Sequence, residues 1–102
     1  MNFIPNACTG FALAIFVGNV YANQTLAQQK GCLNCHQLDK KLIGPPYKMV
    51  AAKYRKDPEA ENRLVKKVLE GSFGTWGKVP MPANQVTEAE ARTLVKWVLK
   101  LK

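Results

Sequence analysis

The sequence predicts an all-α domain. Several segments combine a helix-start signal with apolar residues at helical spacing, whereas no segment shows the alternation of apolar and polar residues that is typical of a half-buried strand. The clearest helix start is a capping box formed by Thr87 and Glu90. With 102 residues, the chain is long enough for one domain.

Residues 1–22 have the composition of a leader, because they contain no Lys, Arg, Asp or Glu. Their apolar run at residues 11–17 has the length of the hydrophobic region of a signal peptide and is too short to span a membrane. Ala22 places a small side chain before Asn23, so we predict cleavage there and a mature domain of residues 23–102. No basic side chain precedes the apolar run, which leaves an uncleaved N-terminal anchor as the alternative.

The first helix of the mature domain is predicted to begin at Thr25, because Thr25 and Gln28 have the spacing of a capping box. Gly31 interrupts this helix directly before the first of two cysteines. Gly31 either ends the helix or lets the backbone approach a bound group closely, and the two roles are compatible.

Cys32, Cys35 and His36 form the C-x-x-C-H pattern of covalent c-type haem attachment. On one helical turn, the two cysteines point to the same side and can add to the two vinyl groups of one porphyrin. His36 is then placed to bind the iron as its proximal ligand. The motif therefore predicts one covalently bound haem c.

A zinc site, a redox pair and a simple disulfide fit this motif less well than haem attachment does. A structural zinc site needs four ligands, and the chain has no second cysteine pair and no second histidine. A thioredoxin-like redox pair is expected near a strand-helix-strand pattern, which is not visible here. A simple disulfide would leave the single histidine of the chain beside Cys35 by coincidence.

Two further helices are predicted after the motif. Pro46 can serve as the first residue of a helix at residues 47–56. The next helix is predicted to begin at Asp57, which is followed by a proline and a glutamate, and to end at Gly71. One face of this helix is apolar and contains Leu64, Val65, Val68 and Leu69.

The last helix follows the Thr87 capping box and has an apolar face at i, i+3, i+4 and i+7 spacing. Acidic residues occupy its first turn, where their negative charges interact favourably with the positive end of the helix dipole. Trp97 lies on the apolar face, and we interpret it as a packing residue rather than as part of an electron path.

Residues 72–86 have neither a helical nor a strand period and contain several glycines and prolines. An ordered loop of this length in a small domain is usually functional. A haem iron with one histidine needs a sixth ligand if it is to be closed to exogenous ligands, and only Met49 and Met81 remain in residues 23–102. Met49 falls in a predicted helix, where methionine more often fills the core, so we predict Met81 as the ligand. The alternative for Met81 is an exposed or gap-filling methionine.

Four motifs occur together and in order at residues 31–36, 44–47, 74–77 and 80–84, and residues 91–99 complete the pattern. In these motifs the sequence closely resembles the cytochromes c-551/c-552, which are short bacterial monohaem class I cytochromes c. The resemblance covers essentially all of residues 23–102. It implies about four helices wrapped around one covalently bound haem.

The resemblance also implies roles for individual residues. It implies that His36 and Met81 are the axial iron ligands, and that the Pro45 carbonyl accepts a hydrogen bond from His36. It further implies that Asn84 donates a hydrogen bond towards the Met81 sulfur, and that Trp76 donates towards a haem propionate.

One position departs from the pattern of the family. Lys67 stands where many relatives have an arginine near the propionates. An ammonium is a point charge whereas a guanidinium is a planar fork, so we expect a less rigid propionate contact at this position.

The function that the resemblance implies is electron transfer, not enzymatic catalysis: a periplasmic, monomeric carrier that cycles between Fe(III) and Fe(II). Its expected partners are a cytochrome bc1-type donor and a nitrite reductase, oxidase or cytochrome peroxidase as acceptor. The net charge of +8 is interpreted as steering towards acidic redox partners.

Two further classes of function remain as alternatives. A haem enzyme or gas sensor would need Met81 to be displaceable from the iron. A nucleic-acid binder would use the basic charge, but no nucleic-acid-binding motif accompanies that charge.

Overall fold

The computed structural model describes the backbone of residues 19–102 and the side chains of residues 23–102. The apolar run of the predicted signal peptide, residues 11–17, lies outside the described residues. Among the helices that are described, none has the length and apolar character needed to cross a membrane.

Residues 19–102 form four α-helices and no strand, which confirms the all-α prediction. A single 3-10 turn, Cys32–Asn34, lies between the first and second helices, and an isolated β-bridge joins Ser72 to Met81. The helices are α1 (Asn19–Gln29), α2 (Tyr47–Tyr54), α3 (Ala60–Glu70) and α4 (Glu88–Leu99).

Helix α1 differs from its prediction at its first residues, and Gly31 follows its last turn. The described part of this helix extends from Asn19, so Thr25 and Gln28 lie inside the helix and the predicted capping box at its start is wrong. Residues 19–25 contain neither Gly nor Pro, so no helix-breaking residue prevents these residues from being helical. Gly31 has a φ of 81°, a left-handed conformation that ends the helical segment directly before the motif.

Helices α2 and α3 are shorter than predicted. Helix α2 ends at Tyr54 rather than at residue 56. Asp57 belongs to a turn before α3: its carbonyl oxygen accepts from the N–H of Ala60 at 3.1 Å, and its Oδ1 accepts from the N–H of Glu59 at 2.9 Å. The cap-like chemistry of Asp57 is therefore present, but the helix itself begins three residues later.

Gly71 ends α3 as predicted. It has a φ of 91°, and its N–H donates to the carbonyl oxygen of Lys67 at 2.8 Å. Because this conformation is unfavourable for residues with a Cβ atom, glycine is suited to the position. The chain leaves α3 here and enters the loop that carries Met81.

Helix α4 begins with the predicted capping box. The N–H of Glu90 donates to Thr87 Oγ1 at 3.0 Å, and the N–H of Thr87 donates to Glu90 Oε1 at 3.0 Å. The second bond, from the Thr87 backbone, lowers the pKa of the Glu90 carboxyl. Both groups of the box are therefore paired, and the prediction is confirmed.

Replacing Thr87 by Ala is expected to lower the free energy of unfolding by about 1 kcal/mol, because the N–H of Glu90 loses its acceptor. Urea unfolding of the holoprotein measures this change. Thr87→Ser keeps the hydroxyl acceptor and should remain close to the parent protein. Equal losses in the two variants would contradict the role of the hydroxyl.

The Glu90 carboxyl is expected to make stability depend on pH in the acid range. Because its pKa in the folded protein lies below the ordinary value of 4.5, its stabilising effect is present above that value and is lost as the pH falls through the lowered pKa. Glu90→Gln keeps an oxygen acceptor but does not titrate. Urea midpoints measured between neutral pH and pH 3 should therefore fall less steeply in this variant, and parallel curves would contradict the prediction.

Helix α4 is the centre of the core and contacts α1, α2 and α3. Its buried side chains belong to two apolar clusters, one shared with α1 and α2 and the other shared with α3. Trp97 is buried and meets the ring of Tyr47 edge-on, with the ring centroids 5.7 Å apart. This confirms that Trp97 is a packing residue, and the packing fixes the start of α2 against α4.

Candidate haem site

The four residues predicted to hold the haem all line one cavity of about 450 Å³. This volume falls within the range of cofactor and small-molecule sites in proteins. Aliphatic side chains from α2, α3 and α4 form much of its wall, as expected for a cavity that receives an apolar macrocycle. They are Val50, Leu64, Val68, Leu94, Val95 and Val98.

Cys32 begins the 3-10 turn that comes after Gly31, and Cys35 directly follows this turn. The carbonyl oxygen of Cys32 accepts from the N–H of Cys35 at 3.1 Å and from the N–H of His36 at 3.0 Å. This turn brings both thiols to the same cavity, which fits attachment to one porphyrin. Burial raises the pKa of the Cys32 thiol, and a hydrogen bond from Tyr47 partly offsets that increase.

His36 is buried, with 8% of its surface exposed. Its Nδ1 lies 2.8 Å from the carbonyl oxygen of Pro45, which can only accept a hydrogen bond, so Nδ1 carries the proton. The lone pair of Nε2 is therefore available for a metal. Burial lowers the pKa of His36, and this favours the neutral imidazole that metal binding requires.

Two residues near His36 have no signal in the sequence that links them to it. The ring of Tyr47 stacks on the imidazole, with centroids 4.6 Å apart and planes inclined by 17°. Gly44 lies against the imidazole so closely that a Cβ atom built there would be 2.7 Å from His36 Cε1. The sequence identified the 44–47 segment as a motif, but it did not indicate these two contacts.

Met81 is fixed to the end of α3 through its backbone. Its N–H donates to the carbonyl oxygen of Ser72 at 2.8 Å, and its own carbonyl oxygen accepts from the N–H of Ser72 at 2.9 Å. A Cβ atom at Gly71 would lie 2.8 Å from the Met81 carbonyl oxygen, so the glycine permits this close return of the chain. The irregular loop therefore holds Met81 in one place on the cavity wall.

Met49 also lines the cavity and is 54% exposed, so its interpretation as a core-filling residue is wrong. It lies in the first turn of α2, two residues after Tyr47. Met81 enters the cavity from a separate segment, which follows α3.

Asn84 makes different contacts from those that the resemblance implied. Its Nδ2 donates to the carbonyl oxygens of Val68 at 3.0 Å and Pro82 at 3.2 Å, rather than towards the Met81 sulfur. Val68 lies in the last turn of α3, where carbonyl groups lack partners within the helix. The backbone N–H of Asn84 donates to the same Val68 oxygen at 3.0 Å. Asn84 thus attaches the end of the Met81 loop to α3.

Lys67 and Trp76 both line the cavity. Each takes part in a contact between a lysine ammonium and an aromatic ring. Lys67 Nζ donates to Thr75 Oγ1 at 3.2 Å and lies 5.9 Å from the ring centroid of Tyr54. Trp76 is 37% exposed, and Lys53 Nζ lies 5.7 Å from the centroid of its ring. These side chains form a polar, positively charged edge on an otherwise largely apolar cavity.

An all-α domain whose C-x-x-C-H turn, buried histidine and loop methionine share one cavity defines a small c-type cytochrome. The chain belongs to the cytochrome c family, whose model matches residues 22–102.

The similar proteins agree in fold and size. Cytochrome c-552 of Hydrogenobacter thermophilus is 45% identical over 91 residues, which cover 89% of this chain and 93% of that protein. Cytochrome c2 of Rhodocyclus tenuis is 55% identical over 82 residues, which cover 76% of this chain and 89% of that protein. The crystal structure of wild-type Nitrosomonas europaea cytochrome c552 has a TM-score of 0.76 and 42% identity, and the match covers 78% of this chain and 99% of that one.

These relationships confirm the class I cytochrome c fold, a single covalently bound haem c and a function in haem-based electron transfer. The donor set in the cavity fits that group, because two cysteines, a histidine with a neutral imidazole and a methionine all line the same cavity. When bound, the haem supplies one-electron Fe(III)/Fe(II) chemistry. The residues that line the cavity would hold it and set the polarity around it.

Proposed function

We propose that this chain is a periplasmic, monomeric one-electron carrier in which Cys32 and Cys35 form the haem thioethers, and His36 and Met81 are the axial iron ligands. The placement of His36 and Met81 on one cavity, from two separate segments of the chain, carries this proposal. With both axial positions taken by protein, no iron position remains for a substrate. Histidine and methionine ligation also favours the reduced iron and raises the reduction potential.

The polar edge of the cavity supports roles for Lys67 and Trp76 at the haem propionates. Lys67 supplies a positive charge and Trp76 an indole N–H, and both side chains line the cavity. Because Lys67 also donates to Thr75, its ammonium can be shared between the loop and a propionate. We therefore expect this contact to be less rigid than one made by an arginine.

An absorption spectrum of the purified protein in both redox states, with carbon monoxide added to the reduced form, tests the proposed coordination. We expect a low-spin spectrum in both states, a weak thioether-to-iron band in the ferric state, and no reaction of the native ferrous protein with carbon monoxide. A haem enzyme or gas sensor would instead bind carbon monoxide readily. That result would overturn the proposed closed coordination and leave the haem attachment intact.

We propose export with removal of residues 1–22, which leaves residues 23–102 as the carrier. The uncharged, apolar leader supports export, and so does the chemistry of thioether attachment, which in bacteria takes place outside the cytoplasm. The intact mass of the exported protein tests the cleavage. A mass that still includes residues 1–22 would indicate a membrane-tethered carrier.

The proposed partners are acidic redox proteins, such as a bc1-type donor and a nitrite reductase, oxidase or cytochrome peroxidase acceptor. The net charge of +8 supports this choice, because a strongly basic carrier is steered towards acidic surfaces. Lys41, Lys67 and Lys78 place part of that charge at the wall of the cavity.

Electron transfer to such a partner is expected to slow as the ionic strength rises, because salt screens the attraction that speeds encounter. Stopped-flow rates measured between low and physiological salt check this expectation. A neutral small-molecule reductant provides the control, since its rate should change little. Partner rates that stay flat or rise with salt would contradict acidic partners and leave the redox function unaffected.

A further inference from the structure

We propose that Tyr47 is a positioning residue that fixes the plane of the His36 imidazole on the iron. This inference rests on the proposed role of His36 as an axial ligand. It adds that the tyrosine ring, rather than the Pro45 hydrogen bond alone, sets the orientation of that ligand.

The contact between the two rings is face to face. Their centroids are 4.6 Å apart, and their planes differ by 17°. The hydrogen bond from Nδ1 to Pro45 restrains one atom of the imidazole at 2.8 Å, but carbonyl oxygens accept over a broad range of angles. A hydrogen bond of this kind leaves the tilt of the ring loosely defined. A flat partner stacked on the imidazole removes that freedom.

Tyr47 is itself buried and held by two contacts. Its side chain is 9% exposed, and the edge-on contact with Trp97 of α4 has an interplanar angle of 77°. Its backbone N–H donates to the carbonyl oxygen of Gln37 at 2.8 Å, which ties the start of α2 to the residue after His36. The tyrosine therefore packs between the α4 core and the imidazole, so the imidazole stacks on a ring whose own position is fixed.

Burial raises the pKa of Tyr47, so the phenol stays neutral. The proposal assigns the orientation of His36 to the ring, so a variant that keeps the ring but lacks the hydroxyl should preserve it.

Proton NMR of the reduced, diamagnetic holoprotein provides the first test and needs no variant. The porphyrin ring current shifts the ring protons of an axial histidine strongly upfield. We expect such shifted His36 protons to show nuclear Overhauser effects to the ring protons of Tyr47. If the shifted protons are present but have no effect to Tyr47, the positioning proposal is overturned. If His36 has no shifted protons, the axial role and the proposed function fail first.

Variants of Tyr47 provide the second test, read from the hyperfine-shifted haem methyl resonances of the ferric protein. These resonances depend on the orientations of both axial ligands, and Tyr47 contacts only the histidine. Tyr47→Leu removes the stacked ring and should change the pattern and spread of these resonances. Tyr47→Phe keeps the ring and should leave the pattern close to that of the parent protein.

Val65→Ala is the matched control for lost packing. Val65 is buried in the cluster shared by α3 and α4, which does not include Tyr47. This control should lower stability without moving the haem methyl pattern. The proposal is overturned if Tyr47→Leu retains the parent pattern, or if Tyr47→Phe changes it as much as Tyr47→Leu does. Should Tyr47→Leu not fold, the nuclear Overhauser measurement on the parent protein decides.

Discussion

Replacing Met81 by Ala is expected to open the sixth iron position, because the proposed thioether ligand is removed while the loop backbone keeps its bonds to Ser72. The ferric protein should lose its weak thioether-to-iron absorption band, and the reduction potential should fall. The ferrous parent protein should not bind carbon monoxide, whereas ferrous Met81→Ala should bind it stoichiometrically. Absorption spectroscopy and redox titration measure these changes.

Met49→Leu is the matched control, because Met49 lines the same cavity but lies in α2 rather than in the loop that carries Met81. A near-isosteric exchange at this half-exposed position should cost at most about 1.5 kcal/mol in stability and leave the spectrum nearly unchanged. The ligand assignment is contradicted if the thioether band survives in Met81→Ala and disappears in Met49→Leu.

Features that depend on neighbours in sequence could be predicted from the sequence. The capping box of α4 joins residues three positions apart, and the C-x-x-C-H motif lies within a single turn of chain. The same reasoning failed at Thr25, because a correct local spacing does not start a helix when the preceding residues are helical too. Local signals therefore identify the chemistry of this chain more reliably than the boundaries of its helices.

Features that depend on how the helices pack could not be predicted in this way. The stack of Tyr47 on His36 joins residues separated by a proline-containing loop, and no periodicity links them. The Asn84 side chain donates to the Val68 carbonyl group, which has no partner within α3 because it lies at the helix end. The sequence does not indicate this bond, because it forms only when the loop returns to the helix. No signal in the sequence indicates that Met49 faces the cavity rather than the core.

Gly44→Ala is expected to disturb the iron through His36. A Cβ atom at position 44 would lie 2.7 Å from Cε1, 3.0 Å from Nδ1 and 3.1 Å from Nε2, which places the new methyl group directly over the imidazole. The imidazole has little room to withdraw, since Nδ1 is bonded to Pro45 and the ring is stacked on Tyr47. The backbone of Gly44 is also held, because its N–H donates to the carbonyl oxygen of Cys35 at 2.7 Å.

Overpacking of this kind costs about 1–3 kcal/mol, so the free energy of unfolding should fall by that amount in Gly44→Ala. Because the group that must move is the proposed iron ligand, the reduction potential and the haem spectrum should change as well. Redox titration and urea unfolding of the holoprotein measure the two effects separately.

Gly74→Ala separates the contact at His36 from the general effect of adding a methyl group to a glycine. Gly74 has a φ of 94°, and a Cβ atom there would meet nothing within 4 Å. Its substitution should cost about 1–2 kcal/mol through backbone strain. No atom of His36 lies within 4 Å of that Cβ atom, so the variant should leave the imidazole in place. Gly44 does not have a positive φ, so its cost arises from the imidazole contact. If Gly44→Ala loses stability but keeps the parent potential and spectrum, the methyl group is accommodated without moving His36, and the tight placement of the ligand is refuted.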